Sequence, residues 1–143
     1  MDTIVLYLGI PSVTKVSCDN LWAPREPYSD ETTSSTQLAT SNMKDLSLPQ
    51  SGLPMNLVRP FFGLFPKLES LSFRVGPLAV ENRDKFDPER FSDAIAHLEE
   101  SLVALSVTSL WDPDQEEIRV LKPFSGFKNL RRLETSKSCI VQL

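Results

Sequence analysis

One short pattern, Leu-x-x-Leu-x-Leu with apolar substitutes allowed, recurs five times along this chain. The copies are Val13–Cys18, Met43–Leu48, Leu68–Phe73, Leu102–Val107 and Leu130–Thr135, with threonine at the final apolar place of the last. The step from Val13 to Met43 is 30 residues, from Met43 to Leu68 25, from Leu68 to Leu102 34, and from Leu102 to Leu130 28. Each copy closes in period-two alternation, which predicts a short strand with one face buried. The intervals are long enough for a turn, a helix and a return loop. A strand-plus-crossover unit cannot bury its apolar face alone, and stacking neighbours buries all the faces together. The expected architecture is therefore α/β, a solenoid with a parallel sheet of about five short strands on one face and helices on the other. A compact α/β sandwich is the alternative. It is weakened by the repeating hexad, which a doubly wound sheet does not require.

Several intervals carry helix signals. Asp87-Pro88 opens one helix, with Asp as N-cap and Pro at the first helical position. Its apolar face is Phe91, Ile95, Leu98 and Leu102, with His97 beside that stripe. Asp112-Pro113 opens another, with Gln115 placed for a capping box and Ile118, Leu121 and Phe124 expected to point inward from it. The stretch Leu57–Phe65 is apolar but interrupted by Pro60, which predicts a short or kinked helix. Asp2–Leu8 reads as a first helix on the first strand. Residues 23–42 break the rhythm: they are polar, contain Pro24, Pro27 and the run Thr32–Thr36, and read as a loop inserted between the first two strands. A short helix around Gln37–Ala39 fits within it.

At the hexads the sequence resembles the leucine-rich-repeat family, whose repeat they match in its first half, although the asparagine that usually closes the strand is absent from every copy. The unequal repeat lengths resemble the irregular repeats of fungal F-box-associated proteins, most clearly in Leu64–Phe73 and Phe124–Leu133. The resemblance implies a protein-binding surface and, in an F-box setting, the substrate-recognition region of a ubiquitin ligase receptor. A cytoplasmic or nuclear location is expected instead from Cys18 and Cys139, far apart in the chain and read as reduced thiols. The F-box itself is absent. Leu53–Val58 looks superficially like its opening, but Pro60 would break its first helix and a strand hexad follows. The expectation is one irregular repeat domain over residues 1–143. No polar capping unit closes the pattern at either end, so the chain is expected to be a fragment, or to bury its ends against another chain. End-to-end contact would involve Ile4, Val5, Ile140 and Val141.

The scarce residues argue against chemistry. The chain has 143 residues, one histidine and two cysteines. A structural zinc site needs about four Cys/His ligands at close spacing, whereas Cys18 and Cys139 are far apart and read as reduced thiols. The five glycines are isolated, so no phosphate cradle forms. His97 reads as a surface residue. Asp84, Asp87 and Glu89, like Asp112, Asp114, Glu116 and Glu117, cluster at helix starts, where acids favour the positive end of the dipole. Trp22 and Trp111 read as packing residues after a strand. No catalytic residue, metal ligand or cofactor is expected, and the protein is not expected to be an enzyme. A small enzyme with an unrecognised site, or a structural fragment without independent function, are the alternatives. A net charge of −4 and a pI near 5.0 speak against nucleic acid as partner. The apolar opening Ile4–Ile10 lacks a basic flank and is far short of the ~20 residues that span a bilayer, so no membrane contact is expected.

A non-catalytic protein–protein interaction module remains. Its partner, a protein or peptide, would meet the concave face, where residues between the apolar positions point away from the core. They make three columns: Thr14, Lys44, Glu69, Val103, Arg131; Lys15, Asp45, Ser70, Ala104, Arg132; and Ser17, Ser47, Ser72, Ser106, Glu134. The candidate contact residues are Lys15, Ser17, Lys44, Asp45, Ser47, Glu69, Ser72, Ser106, Arg131, Arg132 and Glu134. The serines would allow close approach, and the two arginines could hold an acidic peptide by bidentate hydrogen bonds.

Overall fold

Alternating apolar residues need a core on one side only, and they find it in the middle of the chain. The computed structural model describes residues 10, 12–19, 21, 42–76, 86–109, 120–135 and 140–141. The elements in chain order are β1 (Lys15–Ser17), β2 (Asp45–Ser51), α1 (Met55–Gly63), β3 (Ser70–Val75), α2 (Pro88–Ile95), β4 (Ala104–Ser109), β5 (Val120–Leu121), β6 (Arg132–Thr135) and β7 (Ile140–Val141). A single turn of 3₁₀ helix, Ala96–Leu98, extends α2. Every hexad thus contributes one strand to a five-stranded sheet.

That sheet has the order β1-β2-β3-β4-β6, and each neighbouring pair is parallel. Spatial order follows chain order without the reversal that defines a doubly wound sheet. The register is the one the hexads predict: Val16, Leu46, Leu71, Leu105 and Leu133 lie side by side. Between Leu48 and Ser51 the pairing of β2 with β3 shifts, at the place where Pro49 removes a backbone donor.

A repeated backbone device sets this register just before each strand. The Thr14 carbonyl accepts from the N–H groups of Lys44 (2.8 Å) and Asp45 (3.0 Å). The Lys44 carbonyl does the same for Glu69 and Ser70, that of Glu69 for Val103 and Ala104, and that of Val103 for Arg131 and Arg132.

Leu46, Leu48, Leu71, Phe73, Leu105 and Val107 are buried against Val58, Phe61, Phe62, Phe91, Ala94, Ile95 and Leu98 of the helical layer. Phenylalanines join the layers. Phe73 stacks on Phe91 with centroids 5.3 Å apart, and Phe62 meets both edge-on, at 6.0 and 5.7 Å. The end strands are less covered: Val16 is half-buried and Leu133 is 37% exposed.

The helix at Asp87-Pro88 forms as expected. Asp87 Oδ1 accepts from the N–H groups of Glu89 (3.0 Å) and Arg90 (3.2 Å), and Pro88 occupies the first turn. Phe91, Ile95, Leu98 and Leu102 are buried, while His97 is exposed. Helix α1 is short, and Pro60 lies inside it with its ring exposed, while Val58, Phe61 and Phe62 point inward.

One expectation is corrected. Leu121 belongs to a strand, β5, and Phe124 lies outside any helix. Pro123 disfavours helical backbone at Lys122, and Val120 and Leu121 instead pair in parallel with Ile140 and Val141, a two-stranded sheet that no sequence pattern announced. Leu121 is nevertheless buried, and Phe124 is half-buried, edge-on to Phe127 at 5.3 Å. The Asp112-Pro113 helix start with Gln115 and Ile118, the Asp2–Leu8 helix, the loop at 23–42 apart from Asn42, and both tryptophans lie outside the described residues, as do Ile4, Val5 and Cys139.

Candidate binding face

In a strand, side chains that alternate with the buried ones emerge on the opposite face. Here that face is uncovered among the described residues: Asp45 and Ser47, Ser70 and Ser72, and Ala104 and Ser106 are all partly exposed. The pairing aligns them in two of the three expected columns, residue for residue: Lys15–Asp45–Ser70–Ala104–Arg132 and Ser17–Ser47–Ser72–Ser106–Glu134. The third, Thr14–Lys44–Glu69–Val103–Arg131, is the column of residues whose first four carbonyls each accept two N–H groups.

The charged residues divide between the two ends. At the β1 end Lys15 Nζ lies 3.0 Å from Asp45 Oδ2, and Lys44 Nζ lies 2.8 Å from Glu69 Oε1. Both pairs are solvent-exposed, so each contributes only about 0.2–1 kcal/mol and fixes side-chain direction more than stability. At the other end Arg131, Arg132 and Glu134 are exposed, and neither arginine makes an ion pair within the described residues. Between the ends lie the serines and Val103, the latter 38% exposed.

Parity extends the face one step beyond the hexads. Arg74 follows Ser72 by two residues and pairs with Thr108 across β3 and β4, and its Nε donates to Thr108 Oγ1 at 3.4 Å. The hexad ends at Phe73, so a reading confined to it misses both residues, although the same alternation would have found them. With Arg74 included, these columns hold five cations (Lys15, Lys44, Arg74, Arg131, Arg132) against three acids (Asp45, Glu69, Glu134). The face is thus locally basic on a chain of net charge −4.

Reactive groups do not gather on this face. Cys18 is free and half-buried, and burial, reinforced by the negative charge of Asp19, pushes its thiol above the ordinary value and away from the nucleophilic thiolate. Among the described residues no three His, Cys, Asp or Glu side chains come together in a way that could hold a metal ion, and no helix is long and apolar enough to cross a membrane. Asp87 and Glu89 serve the α2 start, Asp87 as its cap and Glu89 in a 3.4 Å ion pair with Lys122. Comparison with family models, with curated proteins and with solved structures finds no match to this chain.

Proposed function

We propose that this chain is a leucine-rich-repeat-like solenoid acting as a non-catalytic protein-recognition module, with the open face of its parallel sheet as the contact surface. The observation that carries this reading is a five-stranded parallel sheet that, among the described residues, is packed on one side, with Asp45, Ser47, Ser70, Ser72, Ala104 and Ser106 partly exposed on the other. Parallel sheets are ordinarily covered on both faces, because their crossover helices fall on both sides. When strand order follows chain order, every right-handed crossover falls on the same side and leaves the other face to solvent or to a partner. The small side chains of Ser47, Ser72 and Ser106 let another chain come close, and the charged ends give it orientation. A protein or an extended peptide fits such a surface better than a small molecule does. The more specific role, presenting targets to a ubiquitin ligase, is supported by the F-box-repeat resemblance alone.

The test is to place a photo-crosslinking residue at position 72, on the open face, and separately at position 100, beyond the end of α2. Protein adducts are expected from position 72, and they should vanish when Ser106→Arg is added to fill the face. Equal adducts from both positions, or none from position 72, would refute the proposed surface.

A further inference from the structure

We propose that the outer edge of β6 docks an extended acidic segment of another protein as a sixth parallel strand. This goes beyond the open face and does not depend on anything binding there.

The argument is the continuation of three regularities. First, the carbonyls of Thr14, Lys44, Glu69 and Val103 each accept two N–H groups from the next strand's entry. Arg131 is the next member of that column, and among the described residues no strand lies beyond it and its carbonyl has no backbone partner. Second, the apolar column Val16–Leu46–Leu71–Leu105–Leu133 ends at a leucine that is 37% exposed, where an incoming apolar side chain would cover it. Third, charge runs in one direction across the sheet. Lys15 of β1 pairs with Asp45 of β2, and Lys44 before β2 pairs with Glu69 before β3. In each pair the cation lies on the earlier strand and the acid on the next one, in the same column. Arg131 and Arg132 occupy those two columns on the last strand, exposed and without acids beyond them in the described sheet.

The partner strand is therefore specified: acid, acid, apolar, cation, apolar, running parallel to β6, with its cation opposite Glu134. Backbone hydrogen bonds would hold it and the arginine–carboxylate pairs would select it, the division of labour found in strand addition to sheet edges. A second copy of this chain is a poor occupant. Its β1 would set Thr14 beside Arg131 and Lys15 beside Arg132, a neutral group and a like charge where two acids are wanted.

The experiment uses the full chain, isotope-labelled for NMR, with a synthetic peptide containing Glu-Asp-Leu-Lys-Leu and a nitroxide at its N-terminus. The expected result is broadening of the Arg131 and Arg132 amides beyond that of Thr135, as parallel alignment requires. A charge-swapped peptide, Lys-Lys-Leu-Glu-Leu, should not bind. The double reversal Arg131→Glu with Arg132→Glu should weaken the acidic peptide by about tenfold and admit the swapped one. Were that variant to lose its sheet by circular dichroism, the single Arg132→Ala must still weaken the acidic peptide. Absence of binding, binding indifferent to these substitutions, or shifts confined to Ser47, Ser72 and Ser106 would overturn the edge site. Shifts confined to those serines would leave the open-face reading intact. Concentration-dependent self-association that the acidic peptide cannot compete away would give the edge to a second copy and also overturn it.

Discussion

Ser92 shows how one polar side chain can be buried in an apolar layer. It lies on the inner side of α2, where its hydroxyl donates to the Pro88 carbonyl at 2.8 Å and accepts from the Lys122 N–H at 3.1 Å. The first bond stays within the helix; the second ties α2 to the chain just after β5, thirty residues on. Lys122 reinforces the tie with its ammonium group, 2.6 Å from Asp93 Oδ1, and that contact raises the lysine's pKa above its ordinary value. Replacing Ser92 by alanine removes the acceptor and leaves a partly buried N–H unpaired, which should cost about 1–2 kcal/mol in urea unfolding. A loss within ±0.3 kcal/mol of zero would mean that the α2–β5 tie contributes nothing. The i−4 spacing of Ser92 and Pro88 is visible in the sequence. Its link to Lys122 is not, because nothing local marks the second partner.

Among the elements, the two helices make opposite use of proline. In α2, Pro88 sits where a missing N–H costs nothing, and Asp87 caps the N–H groups that follow. In α1, Pro60 sits in the interior and forfeits a hydrogen bond to the Asn56 carbonyl. The helix persists because Val58, Phe61 and Phe62 are buried on its inner side, so packing outweighs propensity. Pro60 is exposed, so Pro60→Ala restores the donor without disturbing the core. It should raise stability by about 1–2 kcal/mol, part of the gain being offset by a more flexible unfolded chain. A lower thermal midpoint for this variant would show that the proline ring has a packing role. Both helix signals were legible, Asp-Pro as a start and the proline within an apolar run as a short helix. The strand at Val120–Leu121 was not, because a two-residue ladder has no period to read.

At the scale of the molecule, the core formed by the described residues is strongest at the centre of the sheet and fades toward β1 and β6. Phe91 packs against Phe62, Phe73 and Phe86, whereas Leu133, in the same kind of repeat position as Leu71, is partly in water. Phe91→Ala should therefore cost about 3–5 kcal/mol, and Leu133→Ala less than about 1 kcal/mol. Denaturant midpoints of the two variants check this. Similar losses would mean that the β6 end is packed as tightly as the middle. This gradient is what the proposed edge contact relies on: the interior strands have neighbours on both sides, while Arg131, Arg132 and Leu133 at β6 are exposed.

What the sequence determined by itself is what depends on local period. Alternation within each hexad sorted residues between the buried and open faces, and the recurrence of the hexad aligned Lys15 with Asp45 and Ser72 with Ser106 once the strands ran parallel. Tertiary structure alone decided how much each aligned residue is covered. Val16, Leu71 and Leu133 occupy equivalent places in their hexads, yet one is half-buried, one fully buried and one partly exposed. Burial depends on neighbours from distant parts of the chain, and a repeat is symmetrical in sequence in a way that the five described strands of this sheet, with central and edge positions, are not.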